Sequence, residues 1–148
     1  MPVRLLAVPV PNDDQVLVKV LQAAFNHRDL FQRQSLYPGT IFHTPEQPSV
    51  LGADAVGIVL SRGHPLSDQV VLLCPEVGWH SSSLGPDQKE PFGILGSVKQ
   101  SGGRGTFGEY IVVGKDDVVK CPDHFLDRGK EGMSEAAALP LALLTAYR

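Results

Sequence analysis

Glycine and proline punctuate this chain from end to end without gathering into a linker. Fifteen glycines and 12 prolines are spread through 148 residues. That distribution suits many short strands joined by tight turns. One longer run stands out between the punctuation marks. Residues 15–24 alternate, with Val16, Val18 and Val20 on one face, the period-two signature of a half-buried strand. Residues 4–10 read as an opening strand and 11–14 as turn chemistry. Residues 26–34 read as a short helix with Asn26 as its N-cap. Residues 49–60 are strand-like but interrupted by glycines, which mark a bulge or a close backbone approach. Residues 68–74 form a continuous apolar run, a buried strand. Residues 77–105 read as a long polar loop anchored by Trp79, Phe92, Ile94 and Leu95, and strands follow at 107–113 and 117–122. The sum is a mainly β unit of about six or seven strands.

Composition closes several functional classes. A net charge of -3 without a basic stripe gives a nucleic-acid role no electrostatic support. No apolar stretch reaches the roughly 20 residues that a bilayer span needs. The first ten residues lack the basic-then-apolar layout of a signal peptide. Cys74 and Cys121 stand far apart, which argues against a disulfide framework and for a reducing cytosol. The expectation is a cytoplasmic chain of about one domain, with no nucleic-acid or membrane partner.

The end of the chain reads differently. Ser134 reads as the cap of a final helix whose apolar run, 135–148, meets no terminating Gly or Asn. Leu141, Leu143, Leu144 and Tyr147 on such a helix would need a partner. The expectation is that 1–133 form a domain and that 134–148 open a helix leading into a further part of a longer protein.

Taken in order, five segments resemble the N-terminal, GroES-like catalytic domain of the medium-chain dehydrogenase/reductase superfamily. They are VLVKVLQAAFNHRDL (16–30), PSVLGADAVGIVL (48–60), DQVVLL (68–73), GTFGEYIVV (105–113) and EAAALPLALLTAYR (135–148). The resemblance covers the chain from about residue 3 to 148 and implies a GroES-like, partly open β-barrel with short helices. It further implies a C-terminal Rossmann domain as partner, NADPH as cofactor and a small-molecule substrate, and it leaves a homodimer open.

Zinc-dependent relatives hold a catalytic metal with cysteine and histidine, ligands that zinc takes at about 2.0 to 2.3 Å. Matched to this chain, the three ligand positions fall on Asn26, Ala53 and near Leu141, none of them a ligand, and there is no CxxC for a structural zinc lobe. The resemblance therefore points to a zinc-free branch, similar to quinone oxidoreductases and enoyl or alkenal reductases. The implied substrate is a quinone, an enone or alkenal, or a carbonyl compound. Two rival readings are a non-catalytic binding or scaffold module and, more weakly, a zinc alcohol dehydrogenase.

Asn26, His27, Asp29 and Asp54 are the candidate catalytic residues. Asn26 and Thr145 are the candidate cofactor contacts. Each has a plainer alternative. Asn26 is also a good helix N-cap, and His27 suits a helix start. Asp29 suits an anchor that accepts backbone or Arg28 hydrogen bonds. Asp54, if buried, needs partners, with Arg62, Arg28 or backbone donors as candidates. Thr145 suits a helix-interior threonine bonded to a carbonyl one turn back. Tyr37 and Tyr110 could donate protons, although a strand tyrosine is usually packing. His43, His64, His80 and His124 read as solvated or hydrogen-bonded loop residues. Residues 103–108 spell GxGxxG, yet they precede a strand where a dinucleotide fingerprint must open a helix. Cys74 and Cys121 lack a neighbouring base and read as structural.

Overall fold

The ten-residue strand β1 (Gln15–Ala24) organises the molecule. It pairs antiparallel on one side with β2 (Asp54–Val59) and on the other with β6 (Tyr110–Gly114). With β3 (Val70–Leu73) and β7 (Val118–Lys120) these form a five-stranded sheet in the order β6-β1-β2-β3-β7. Two-residue strands β4 (Glu76–Val77) and β5 (Gly93–Ile94) pair separately. The computed structural model describes residues 5–36, 49–79, 82–87, 92–97 and 101–147. The architecture is mainly β: a curled half-barrel sheet carrying short helices, as the resemblance implied.

The sheet is buried on both faces at its centre. Val16 and Val18 of β1 join Ala55, Val59, Val71, Leu73, Ile111 and Val113 in the main core. Full burial of a side chain such as Val18 stabilises the fold by about 1.5 to 3 kcal/mol. On the opposite face Val56 packs with Cys121, Ala136 and Ala137, flanked by Phe125 and Met133. Strand β2 is therefore apolar at nearly every position rather than alternating, as strands covered on both sides are. The register of β1 shifts between Val20 and Gln22, so a bulge interrupts its pairing with β2 before the site is reached.

Helix α1 (His27–Arg33) follows β1 directly, with Asn26 at its N-cap, close to the expected 26–34. Three further helices close the chain: α2 (Asp123–Leu126), α3 (Gly129–Ala137) and α4 (Pro140–Tyr147).

Several expectations need correction. The described part of the proposed opening strand, 5–10, forms no strand. Pro9 has no N–H to give a ladder, and Leu5, Leu6 and Val10 are exposed. Ser134 does not cap a helix. It lies inside α3, its hydroxyl donating to the Lys130 carbonyl. The final run is not one helix either. It breaks after Ala137, because Pro140 cannot supply the N–H that continuity requires, and it restarts with Pro140 at the first position of α4. Helix α2 was not foreseen. The long loop is partly as read, with Trp79 and Phe92 meeting edge to face at 5.5 Å and Leu95 buried. No helix among the described residues is long and apolar enough to cross a membrane.

Candidate functional site

Asp54, the first residue of β2, is the centre of the arrangement. It is 1% exposed, and both carboxylate oxygens are used. The Asn26 side-chain amide donates from Nδ2 to Oδ2 at 2.9 Å, and the Leu141 backbone N–H donates to Oδ1 at 2.8 Å. Leu141 stands behind Pro140, so its N–H is the first that α4 has to offer. Asp54 thus caps α4 from another strand, and a carboxylate there also complements the positive end of the helix dipole. Of the partners proposed for it, a backbone donor is present, whereas neither Arg62 nor Arg28 bonds it.

Burial pushes the Asp54 carboxyl above its ordinary value. The hydrogen bonds from Asn26 and Leu141 oppose that rise, Asp29 adds to it, and the Arg28 charge reduces it.

Asn26 occupies the N-cap with extended backbone, and its amide is turned toward Asp54. Its own N–H donates to Asp29 Oδ2 at 2.8 Å. Asp29 is buried and anchors the turn through backbone, the plainer of its two readings. Its other oxygen and Gln32 Oε1, one turn further on, are buried without a partner among the described residues. His27 is exposed at the first position of α1. Thr145 sits on the exposed side of α4 and bonds the Leu141 carbonyl one turn back at 2.7 Å.

The segment before Asp54 is pressed against its neighbours. Gly52 has φ 97°, a left-handed conformation, and a Cβ there would collide with Thr106 Oγ1 and the Phe107 ring. Thr106 N–H and Phe107 N–H donate to the Gly52 and Leu51 carbonyls at 3.0 and 2.9 Å. These bonds also explain the glycine-rich stretch at 103–108. It forms a turn lashed to 50–52 and runs into strand β6, with no helix following.

The three positions matched to metal ligands therefore converge: Asn26 and Leu141 both bond Asp54, the neighbour of Ala53. The three matched positions carry an amide, a methyl group and an isobutyl group, and both oxygens of the adjacent Asp54 carboxylate are already engaged. Zinc takes thiolate, imidazole or carboxylate ligands; no thiolate or imidazole stands at the three matched positions, and the one carboxylate beside them is committed to Asn26 and Leu141. Among the described residues no group of three His, Cys, Asp or Glu side chains is placed to hold a metal. Asn26 is half-exposed and His27 exposed beside this hydrogen-bonded cluster.

The remaining candidates lie elsewhere. His64 accepts from Leu66 N–H at 3.1 Å and contacts the Lys115 carbonyl at 3.0 Å, the hydrogen-bonded role expected of it. His124 is not in a loop as expected but lies in α2, its ring centroid 4.1 Å from that of Phe125. Tyr37, His43 and His80 lie outside the described residues, and Tyr110 begins β6. Cys121 is buried, which pushes its thiol up, and Cys74 is half-buried. The sequence reading offered Arg28 only as a partner for Asp29 or Asp54, and its bonds lie elsewhere. Arg28 donates to the Leu95 carbonyl at 2.7 Å and to Ser97 Oγ at 2.9 Å, tying α1 to the loop at 95–97. The available signal was a cation inside the matched segment 26–29.

Comparison with known proteins gives the family. The alcohol dehydrogenase GroES-like domain family matches residues 12–123. A zinc-type alcohol dehydrogenase-like protein YogA from Leptosphaeria maculans is 34% identical over 147 residues, covering 95% of this chain and 38% of that protein. A 2-methylene-furan-3-one reductase from Solanum lycopersicum is 30% identical over 144 residues, covering 96% of this chain and 31% of that protein. Among solved structures, the alcohol dehydrogenase of Aeropyrum pernix superposes with a TM-score of 0.72 at 26% identity, covering 100% of this chain and 44% of that one. The chain thus spans less than half the length of these proteins.

Proposed function

The chain belongs to the alcohol dehydrogenase GroES-like domain family of the medium-chain dehydrogenase/reductases, and from that premise we propose that it forms the catalytic-domain wall of a zinc-independent, NADPH-dependent oxidoreductase. Its substrate is a quinone, an enone or alkenal, or a carbonyl compound. A C-terminal Rossmann domain grips the pyrophosphate and closes the other side of the cleft. The observation that supports this reading is the Asn26–Asp54–Leu141 hydrogen-bond network, at the positions that the resemblance matches to the metal ligands of zinc-dependent relatives.

When bound, NADPH supplies the hydride. The chain's own residues position and polarise. Asn26 gives one N–H to Asp54 and retains a second for a substrate oxygen or the nicotinamide amide. Asp54 holds that amide in one orientation and secures the start of α4, which carries Thr145 toward the cofactor. Asp29 fixes the backbone of the same turn, and His27 stands at the rim. A preorganised donor aimed at developing oxyanion charge is worth about 10²- to 10³-fold in kcat.

The test uses the extended protein. NADPH oxidation is followed in its absorbance with an enone, an alkenal, a quinone and a ketone, beside elemental analysis for zinc. Turnover without stoichiometric metal, and loss of turnover in Asn26→Ala, support the reading. Activity that requires zinc would return the protein to the zinc-type group that one relative's name describes. An extended protein that binds no nucleotide would favour the non-catalytic module. The 148 residues alone are expected to be inactive.

A further inference from the structure

Four segments meet at the site: the start of α1, residues 52–54, the loop at 95–97, and the first turn of α4. The loop is firmly seated. Leu95 is 2% and Ser97 6% exposed, and a Cβ on Gly96 would stand 2.8 Å from the Gly52 carbonyl oxygen. Into this setting α1 sends one permanent cation. The Arg28 guanidinium is held by Leu95 O and Ser97 Oγ, which engage two of its five N–H donors. It is half-exposed, and among the described residues it forms no ion pair with a carboxylate. Its charge is felt at Asp54.

The balance of charge at this wall is informative. Asp29 and Asp54 are both carboxylates, and the Asn26 amide is neutral. Among the described residues that hydrogen-bond in this cluster, Arg28 is the one cationic side chain, beside two carboxylates. We propose that Arg28 is a further catalytic residue, donating to and neutralising the carbonyl oxygen of an α,β-unsaturated carbonyl substrate as it becomes an enolate. This deepens the function proposed above and rests on it. In the step itself, the substrate β-carbon gains a hydride and forms a C–H bond. The electron pair of the C=C bond shifts to join the α-carbon to the carbonyl carbon, and the carbonyl π pair moves onto oxygen. NADPH is left as NADP⁺. A proton from water then forms the C–H bond at the α-carbon and the carbonyl returns. The guanidinium suits the role because it stays charged and presents a fixed fork of donors. Its two bonds to a buried loop mean that no reorganisation accompanies the charge shift.

The experiment compares the extended protein with its Arg28→Gln, Arg28→Lys and Ser97→Ala variants in two readouts. The first is steady-state reduction of an enone by NADPH. Arg28→Gln is expected to lower kcat by about 10²- to 10³-fold with the KM for NADPH unchanged, and Ser97→Ala to lower it by less than about tenfold. The second is the affinity for 4-nitrophenolate, an aryl oxyanion, followed by absorbance in the presence of NADP⁺. Arg28→Gln is expected to weaken it at least about tenfold, and Arg28→Lys, which keeps the charge, by no more than about threefold. Should Arg28→Gln fail to fold, Arg28→Lys decides: retained phenolate affinity with a tenth or more of kcat supports the role, and loss of both overturns it. Unchanged kcat and phenolate affinity in Arg28→Gln also overturn it while leaving the parent reading intact. If the unmodified protein reduces no enone, alkenal, quinone or ketone, the parent reading fails, and the phenolate titration still decides whether Arg28 receives an oxyanion.

Discussion

At the scale of the residue, one carboxylate joins three parts of the chain. Asp54 bonds a side chain 28 positions before it and a backbone N–H 87 positions after it. Asp54→Ala would leave the Asn26 amide and the Leu141 N–H without their acceptor, a cost of about 1 to 3 kcal/mol in urea denaturation. The same group sets a pH dependence. Burial raises its folded-state pKa above the ordinary 3.8, so the folded chain binds this proton more tightly than the unfolded one. The contribution is fully present below pH 3.8 and is lost as pH rises through the raised folded value. The stability advantage of the unmodified chain over Asp54→Asn should therefore shrink as pH climbs through that window. Paired denaturation curves check this, and an advantage that widened with pH would contradict the assignment. Asn26 and Asp54 were legible as candidates from the matched segments. Their bond to each other was not, because nothing in local spacing relates two positions so far apart.

At the scale of the element, β1 was legible to its ends because its alternation matches the pleat and neither Gly nor Pro interrupts it. The helix after it was nearly so, since Asn26 and Asp29 sit at cap and third-residue positions. The proposed strand at 4–10 failed for the opposite reason: apolar composition without a partner strand does not make a ladder. Pro140 was a readable breaker inside an otherwise apolar run, and reading through it merged two helices. Elements near the site depend on the close approach at Gly52. Gly52→Ala combines a left-handed backbone with a collision against Thr106 and Phe107, so a loss of roughly 2 to 4 kcal/mol is expected. Thermal or urea unfolding reads it. A change below about 0.5 kcal/mol, the ordinary surface range, would show that the seam between 50–52 and 105–107 yields freely.

At the scale of the whole molecule, α4 lies at the edge of the core, with Leu141 alone of its residues packed against the main cluster. None of its residues is buried, and Leu143, Leu144 and Tyr147 are 57%, 38% and 89% exposed. Leu143→Gln combined with Tyr147→Gln should leave the unfolding free energy of this chain within about 0.5 kcal/mol of its original value. The same change should reduce self-association in sedimentation, since contiguous exposed apolar surface drives contact. In the extended protein it should lower the stability of the proposed contact with the Rossmann domain. A large loss of stability in the 148-residue chain itself would mean that α4 packs more tightly than its exposure indicates.

By itself, the order of short apolar runs, Gly and Pro determined a mainly β unit and its family resemblance, because alternation and turn chemistry are local properties of neighbouring residues. The resemblance, carried by five matched segments, marked Asn26, His27, Asp29 and Asp54 as a set. Only the tertiary structure decided what those residues touch. Strand β2, covered on both faces, carries Asp54 beneath the amide of Asn26 and against the first free N–H of α4. Arg28 enters the same cluster through a loop some 67 positions away. Bonds of that reach are set by sheet pairing and close packing, which no window of sequence contains.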